Sequence, residues 1–154
     1  MNSPQGPGSK ALRRGRHSRE NGIYFVTAVT EQRIPWFQEF SLARIVCNTI
    51  DSPAGLADAH DLCWVVMPDH IHLLVQLCET PIQKVIGRLK SRSARLLNNE
   101  IGRTGRFWRP GFHDHALRKE EDMLEMARYI VANPIRAGLV KRYGDYPFWN
   151  AVWV

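Results

Sequence analysis

Between Leu62 and Leu77 the chain offers two strand-like runs, Leu62-Cys63-Trp64-Val65-Val66-Met67 and His70-Ile71-His72-Leu73-Leu74-Val75-Gln76-Leu77, broken only by Pro68-Asp69. Short apolar runs on either side of turn residues predict antiparallel neighbours in a sheet. An earlier β-branched and aromatic run, Ile23 to Thr30, predicts another strand, and Pro35 ends any continuation of it. Ser41 is the expected N-cap of a helix that carries Leu42, Ile45, Val46, Thr49 and Ile50 at helical spacing and closes at Pro53 and Gly55. Pro81 suits the start of a second helix. Ile82, Val85, Ile86, Leu89, Leu96 and Leu97 line one face of it, and Lys84, Arg88, Arg92 and Arg95 the other. That pattern predicts a helix lying on a sheet with a basic outer face.

Asn98 to Gly105 reads as a loop by composition. Phe107-Trp108 and Phe112 to Leu117 read as strands interrupted by Pro110-Gly111. A last helix is expected from about Lys119 to Asn133, opening with Glu120, Glu121 and Asp122, where the helix macrodipole favours negative charge. Pro134 disfavours helical geometry at the residue before it and so sets the expected end. The segment from Arg136 to Val140 and the aromatic tail are expected to pack back on the domain. The order is strand, helix, strand, strand, helix, strand, then one more helix. It predicts an α+β, ferredoxin-like sandwich: an antiparallel sheet with helices on one face, plus a C-terminal helix. The second face then needs cover, or a ligand.

A chain of 154 residues is long enough for one well-buried core. One domain over 23–154 is expected, behind a flexible basic arm at 1–22 that is rich in Gly, Pro, Ser and Arg. The net charge is +6, and it is concentrated. Residues 81–119 hold ten Lys or Arg against two acids, and the arm holds five against one. A phosphate backbone is the commonest partner for such concentrations. No apolar run approaches the length of a membrane span, and the polar, basic start has no apolar stretch of the kind a secretory leader needs. Cys47, Cys63 and Cys78 form no C-x-x-C pair and leave an odd thiol. They predict buried small hydrophobes in a reducing cytoplasm rather than a disulfide framework.

His70-Ile71-His72 is the sharpest candidate for chemistry. Residues i and i+2 of a strand share a face, so two imidazoles could approach one metal ion. The motif is short, and two ordinary strand histidines would look the same. A second pair, His113-Asp114-His115, has the same spacing in a Gly-, Pro- and Arg-rich setting, where a structural or substrate-contact role is the better fit. Tyr129 and Asn133, four apart, stack on one helix face. A tyrosine phenol, with an unperturbed pKa near 10, is a weak nucleophile. It becomes useful against a centre already polarised by a metal or by arginines. Taken alone, such a tyrosine reads as a packing residue.

Three segments taken together are more specific: Met67-Pro68-Asp69-His70-Ile71-His72-Leu73-Leu74-Val75, Trp108-Arg109-Pro110-Gly111-Phe112-His113-Asp114-His115, and Ala127-Arg128-Tyr129-Ile130-Val131-Ala132-Asn133-Pro134-Ile135-Arg136-Ala137-Gly138-Leu139-Val140. In content and order the chain resembles the single-tyrosine HUH transposases, IS200-like, of the REP-associated tyrosine transposase branch. The resemblance implies a ferredoxin-like fold, His70 and His72 as metal ligands with Asn133 as the third, and Tyr129 as the nucleophile. It implies Mg²⁺ or Mn²⁺ as cofactor and single-stranded, hairpin-forming DNA as substrate. Cleavage would pass through a 5′-phosphotyrosine that conserves the ester energy for rejoining. A bacterial cytoplasmic, nucleoid-associated protein, monomeric or dimeric and without a membrane partner, follows from the same resemblance. Arg13, Arg14, Arg16, Lys84, Arg88, Arg95 and Arg118 are the expected contacts to the DNA backbone. His113 and His115 are possible substrate contacts, and Trp108 or Phe112 would either stack on bases or pack in the core. A domesticated, catalytically silent DNA-binding protein of the same fold is the alternative, and a hydrolase without a covalent step is a third.

Overall fold

The computed structural model describes residues 21–118 and 120–154. Arg13, Arg14 and Arg16, expected to contact DNA, lie outside them, as does the expected basic arm but for its last two residues. Five strands form one antiparallel sheet: β1 (Ile23–Val29), β2 (His60–Met67), β3 (His70–Gln76), β4 (His113–Leu117) and β5 (Trp149–Ala151), in the order β4-β1-β3-β2-β5. Helix α1 (Phe40–Asp51) connects β1 to β2, and α2 (Ile82–Ile101) connects β3 to β4. These are two interlocked crossovers between strands of like direction. The right-handed rule puts both helices on the same side of the sheet, as the ferredoxin-like order demands. Helix α3 (Glu120–Val131) and the short α4 (Asn133–Arg136) follow β4.

The two faces of the sheet are chemically unlike. Val26 and Ala28 of β1, Ile71, Leu73 and Val75 of β3 and Val66 of β2 alternate onto one face, and none of them has any solvent exposure. The apolar stripes of α1 (Leu42, Val46, Ile50) and α2 (Val85, Ile86, Leu89) cover them. Each such aliphatic side chain contributes roughly 1.5–3 kcal/mol by leaving water. The opposite face carries α3. There Ala127 and Ile130 are buried, and the Cys63 thiol donates to the Ala127 carbonyl at 3.8 Å.

Several boundaries differ from the sequence expectation. Helix α1 begins at Phe40 with Glu39 in the N-cap position, two residues earlier than a Ser41 cap allows. Helix α2 continues through Asn98 to Ile101, because Leu97 prolongs the buried stripe and Gly102 supplies the left-handed φ of 65° that stops it. Phe107-Trp108 forms no strand but a single bridge from Trp108 to Thr30. Trp108 and Phe112 are both buried, and the Trp108 indole donates to Ser93 Oγ at 2.9 Å, so base stacking is not open to them. Helix α3 ends at Val131, and Pro134 sits in the first turn of α4 rather than closing α3. The tail adds β5 beside β2, an element too short to announce itself. Cys47 and Cys63 are buried as expected, whereas Cys78 is only half-buried.

Candidate active site

Strand register assembles the site. On the face that carries α3, cross-strand pairing lays His113, Thr27, His72 and Val65 in one row across β4, β1, β3 and β2. His115, Phe25, Leu74 and Cys63 form the next row. His70 stands two residues from His72 on β3, as strand alternation requires, and the two ring centroids are 4.7 Å apart. Both histidine pairs thus lie on one face, separated by β1. At the usual strand spacing this is about 10 Å from β3 to β4.

Each central imidazole is held through its Nδ1. Asp69 Oδ1 lies 2.7 Å from His70 Nδ1. A carboxylate can only accept, so the proton is on Nδ1, and Nε2 of a neutral ring keeps its lone pair. Asp69 is itself fixed. Arg33 donates to its other oxygen at 3.1 Å, and its carbonyl accepts the N–H of the fully buried Thr30 at 3.0 Å. Burial works against ionisation of this carboxyl, yet the hydrogen bonds and charges of His70 and Arg33 outweigh it and hold the pKa below the usual carboxylate range. Thr27 Oγ1 lies 2.9 Å from His72 Nδ1, and Phe25 stacks on the same ring at 5.2 Å. Burial, followed by the charges of His70 and Arg136, pushes the His72 pKa down to about 3. At neutral pH this ring is an uncharged donor, the form a metal ligand needs.

Tyr129 stands over this pair. Its ring is 6.4 Å from that of His72 and meets Phe25 edge-on at 6.2 Å. It remains 49% exposed while its helix neighbour Ile130 is sealed. The Arg136 guanidinium lies 3.9 Å over the tyrosine ring and donates from Nη2 to the Tyr129 carbonyl at 2.8 Å. At a surface site such a cation–π contact is worth about 0.5–1 kcal/mol. Asn133 opens α4 immediately beyond, half-buried, with its own carbonyl accepting the Ala137 N–H at 2.9 Å.

The remaining sequence candidates divide between the two sides of the sheet. A groove of about 420 Å³ between β4 and α3 has Tyr129 on its wall together with His115, Arg118 and Asp122. His113, His115 and Arg118 are exposed. Lys84, Arg88 and Arg95 are exposed on α2, across the sheet from Tyr129, and Arg88 Nε donates to the Ala54 carbonyl at 2.9 Å. The sequence reading missed Thr27, Asp69, Arg33, Phe25 and Arg136. Of these only Asp69, adjacent to His70 in the turn, carried a local signal. Among the described residues no group of three or more His, Cys, Asp or Glu side chains gathers around a point. None of the helices among these residues is long and apolar enough to cross a membrane.

The class so defined is an antiparallel α+β sandwich with an imidazole pair and a half-exposed tyrosine on the face that α3 partly covers. Known proteins narrow it. Residues 19–133 match the family described as "Transposase IS200 like", and the chain belongs to that family. It is 28% identical over 146 residues to a protein of Haemophilus influenzae named as a candidate REP-associated tyrosine transposase, covering 84% of this chain and 79% of the relative. It is 32% identical over 90 residues to the REP-associated tyrosine transposase of Escherichia coli, covering 55% and 50%. A REP-associated tyrosine transposase solved bound to a REP hairpin superimposes with a TM-score of 0.68 at 25% identity, over 87% of this chain and 79% of that one.

Proposed function

We propose that the chain is a metal-dependent endonuclease and strand transferase acting on single-stranded, hairpin-forming DNA, with Tyr129 as the nucleophile. The observation that carries this reading is the meeting of three rings, His70 to His72 at 4.7 Å and His72 to Tyr129 at 6.4 Å, on one open face. The relative solved with a REP hairpin supports the choice of substrate.

Nε2 of His70, Nε2 of His72 and the amide oxygen of Asn133 are the donors for a divalent cation. The two imidazoles fit, because both Nδ1 atoms are already engaged and His72 is neutral, and Asn133, half-buried at the start of α4, joins them through its place in the sequence motif. Mixed nitrogen and oxygen donors suit Mn²⁺, and Mg²⁺ with the help of substrate oxygens. When bound, the ion supplies Lewis-acid polarisation of the scissile phosphate. The chain supplies the rest. The Tyr129 hydroxyl gives up its proton as its oxygen bonds to phosphorus, the bond from phosphorus to the 3′ oxygen breaks, and that oxygen takes up a proton and leaves as a 3′-hydroxyl. A 5′-phosphotyrosine is left. The groove between β4 and α3 gives the strand next to the cleaved bond a path past His115 and Arg118. Lys84, Arg88 and Arg95, exposed on α2 across the sheet, lie away from this path.

Incubation with end-labelled hairpin single strands and Mn²⁺ should give a protein–DNA adduct that survives denaturing electrophoresis. Tyr129→Phe should abolish the adduct and leave DNA binding within about twofold, since a half-exposed hydroxyl contributes little elsewhere. An adduct that persists in that variant removes Tyr129 from the role. Tight, salt-sensitive binding with no adduct from the native chain in any metal leaves a DNA-binding protein alone.

A further inference from the structure

Arg136 lies against the ring of Tyr129, which itself stands 6.4 Å from the ring of His72. Its guanidinium is fixed twice to Tyr129, 3.9 Å over the ring and 2.8 Å from the carbonyl. Its own backbone is anchored in α4, with its N–H donating to the Ala132 carbonyl at 3.0 Å. It is exposed on the surface that Tyr129 shares. A guanidinium presents five N–H donors in one plane, and a single one is spent on the carbonyl. At 3.9 Å from the centre of the phenol ring, the guanidinium is within a side chain's reach of a phosphate oxygen on a phosphorus atom under attack by that phenol. The ring it lies on stands 6.4 Å from that of His72, so the cation is on the phenol that faces the imidazole pair.

We propose that Arg136 is a catalytic residue of this chain, holding the Tyr129 ring in line while clamping a non-bridging oxygen of the scissile phosphate. The proposal rests on Tyr129 being the nucleophile. Attack by the tyrosine oxygen expands phosphorus to five bonds before the 3′ oxygen leaves, and negative charge grows on the non-bridging oxygens. A preorganised cation there is worth most at that moment. The competing account is purely structural. An arginine that donates to one of the last carbonyls of α3 caps the helix and does nothing to the phosphate.

Adduct formation under single-turnover conditions in Mn²⁺ separates the two, using a hairpin strand with either an ordinary phosphodiester or a methylphosphonate at the cleaved position. Arg136→Ala should slow the phosphodiester about 100-fold or more, and Arg136→Lys, which keeps charge but not the planar fork of donors, about tenfold. On the methylphosphonate, which lacks the charge to be clamped, each variant should fall within about threefold of the native chain. Equal loss on both substrates means that Arg136 only supports the helix, and the proposal fails. Should Arg136→Ala lower the melting temperature, Arg136→Lys carries the comparison. Variants as fast as the native chain while Tyr129→Phe is dead overturn the role of Arg136 and leave the nucleophile standing. If the native chain and Tyr129→Phe alike form no adduct, both readings are overturned.

Discussion

The two faces of one sheet are built to opposite specifications. Behind β1 and β3, under α1 and α2, Val26, Ala28, Ile71, Leu73 and Val75 make a dry aliphatic layer with no exposure. In front, one residue further along the same strands, Phe25, Thr27, His70 and His72 make a polar, aromatic layer that α3 covers only in part. The strand period of two lets a single stretch, His70-Ile71-His72-Leu73, supply both. The front is sealed as well where Cys63, Val65 and Leu74 lie under α3, and only around Thr27, His70, His72 and Tyr129 is it polar and aromatic; substitutions on adjacent residues there and behind the sheet should have different consequences.

The largest contrast is between Leu73→Ala and Tyr129→Phe. The first opens a cavity in the sealed layer and should cost about 2–5 kcal/mol, readable in urea unfolding at unchanged pH. The second removes a hydroxyl from a residue that is 49% exposed and should stay within about 0.5 kcal/mol. If the two cost the same, the front layer bears as much of the fold as the back one, and the division drawn above is wrong.

A pH series tests the front layer alone. The His72 pKa falls from an ordinary 6.5 to about 3 in the folded chain. Between those values the unfolded state binds a proton that the native state refuses. The contribution of this group is thus fully present above about pH 6.5 and is lost as pH falls towards 3, with a slope of up to about 1.4 kcal/mol per pH unit. Urea midpoints in EDTA, with no metal to compete for the ring, should decline over that window in the native chain. They should flatten in His72→Gln. A decline that persists unchanged in the variant assigns the acid sensitivity to other groups.

How legible each face was follows from the same geometry. Runs such as Leu62 to Met67 and Ile23 to Thr30 announced strands because both layers demand β-forming residues, and the apolar stripe of α2 announced its cover. Strand β5 escaped because Trp149-Asn150-Ala151 is three residues long and is defined by its partner β2 rather than by any pattern of its own. The end of α2 escaped because Asn98 and Asn99 look like loop residues, whereas the stop comes from the left-handed Gly102. Within the site, i and i+2 spacing made His70 and His72 a pair. The row His113–Thr27–His72 depends on register between three strands, which no local window contains. Arg136 is seven residues from Tyr129, across the break between α3 and α4. Its return over the phenol ring was not readable from helical spacing.

The subtlest expected effect concerns Thr27, the residue through which register reaches the chemistry. Its hydroxyl, 2.9 Å from His72 Nδ1, is the only feature distinguishing it from a valine of nearly the same shape at that position. Thr27→Val should therefore leave packing intact. It should free the imidazole to rotate or change tautomer, and outer partners of this kind typically change metal affinity by 10–100-fold. Titration with Mn²⁺ alone, followed by calorimetry, should show that loss in Thr27→Val and near-native binding in Thr27→Ser, with both unfolding close to the native urea midpoint. Unchanged Mn²⁺ affinity in the valine variant would mean that stacking on Phe25, rather than the cross-strand hydrogen bond, orients His72. The front layer would then be organised by its aromatic rings, with register contributing only their spacing.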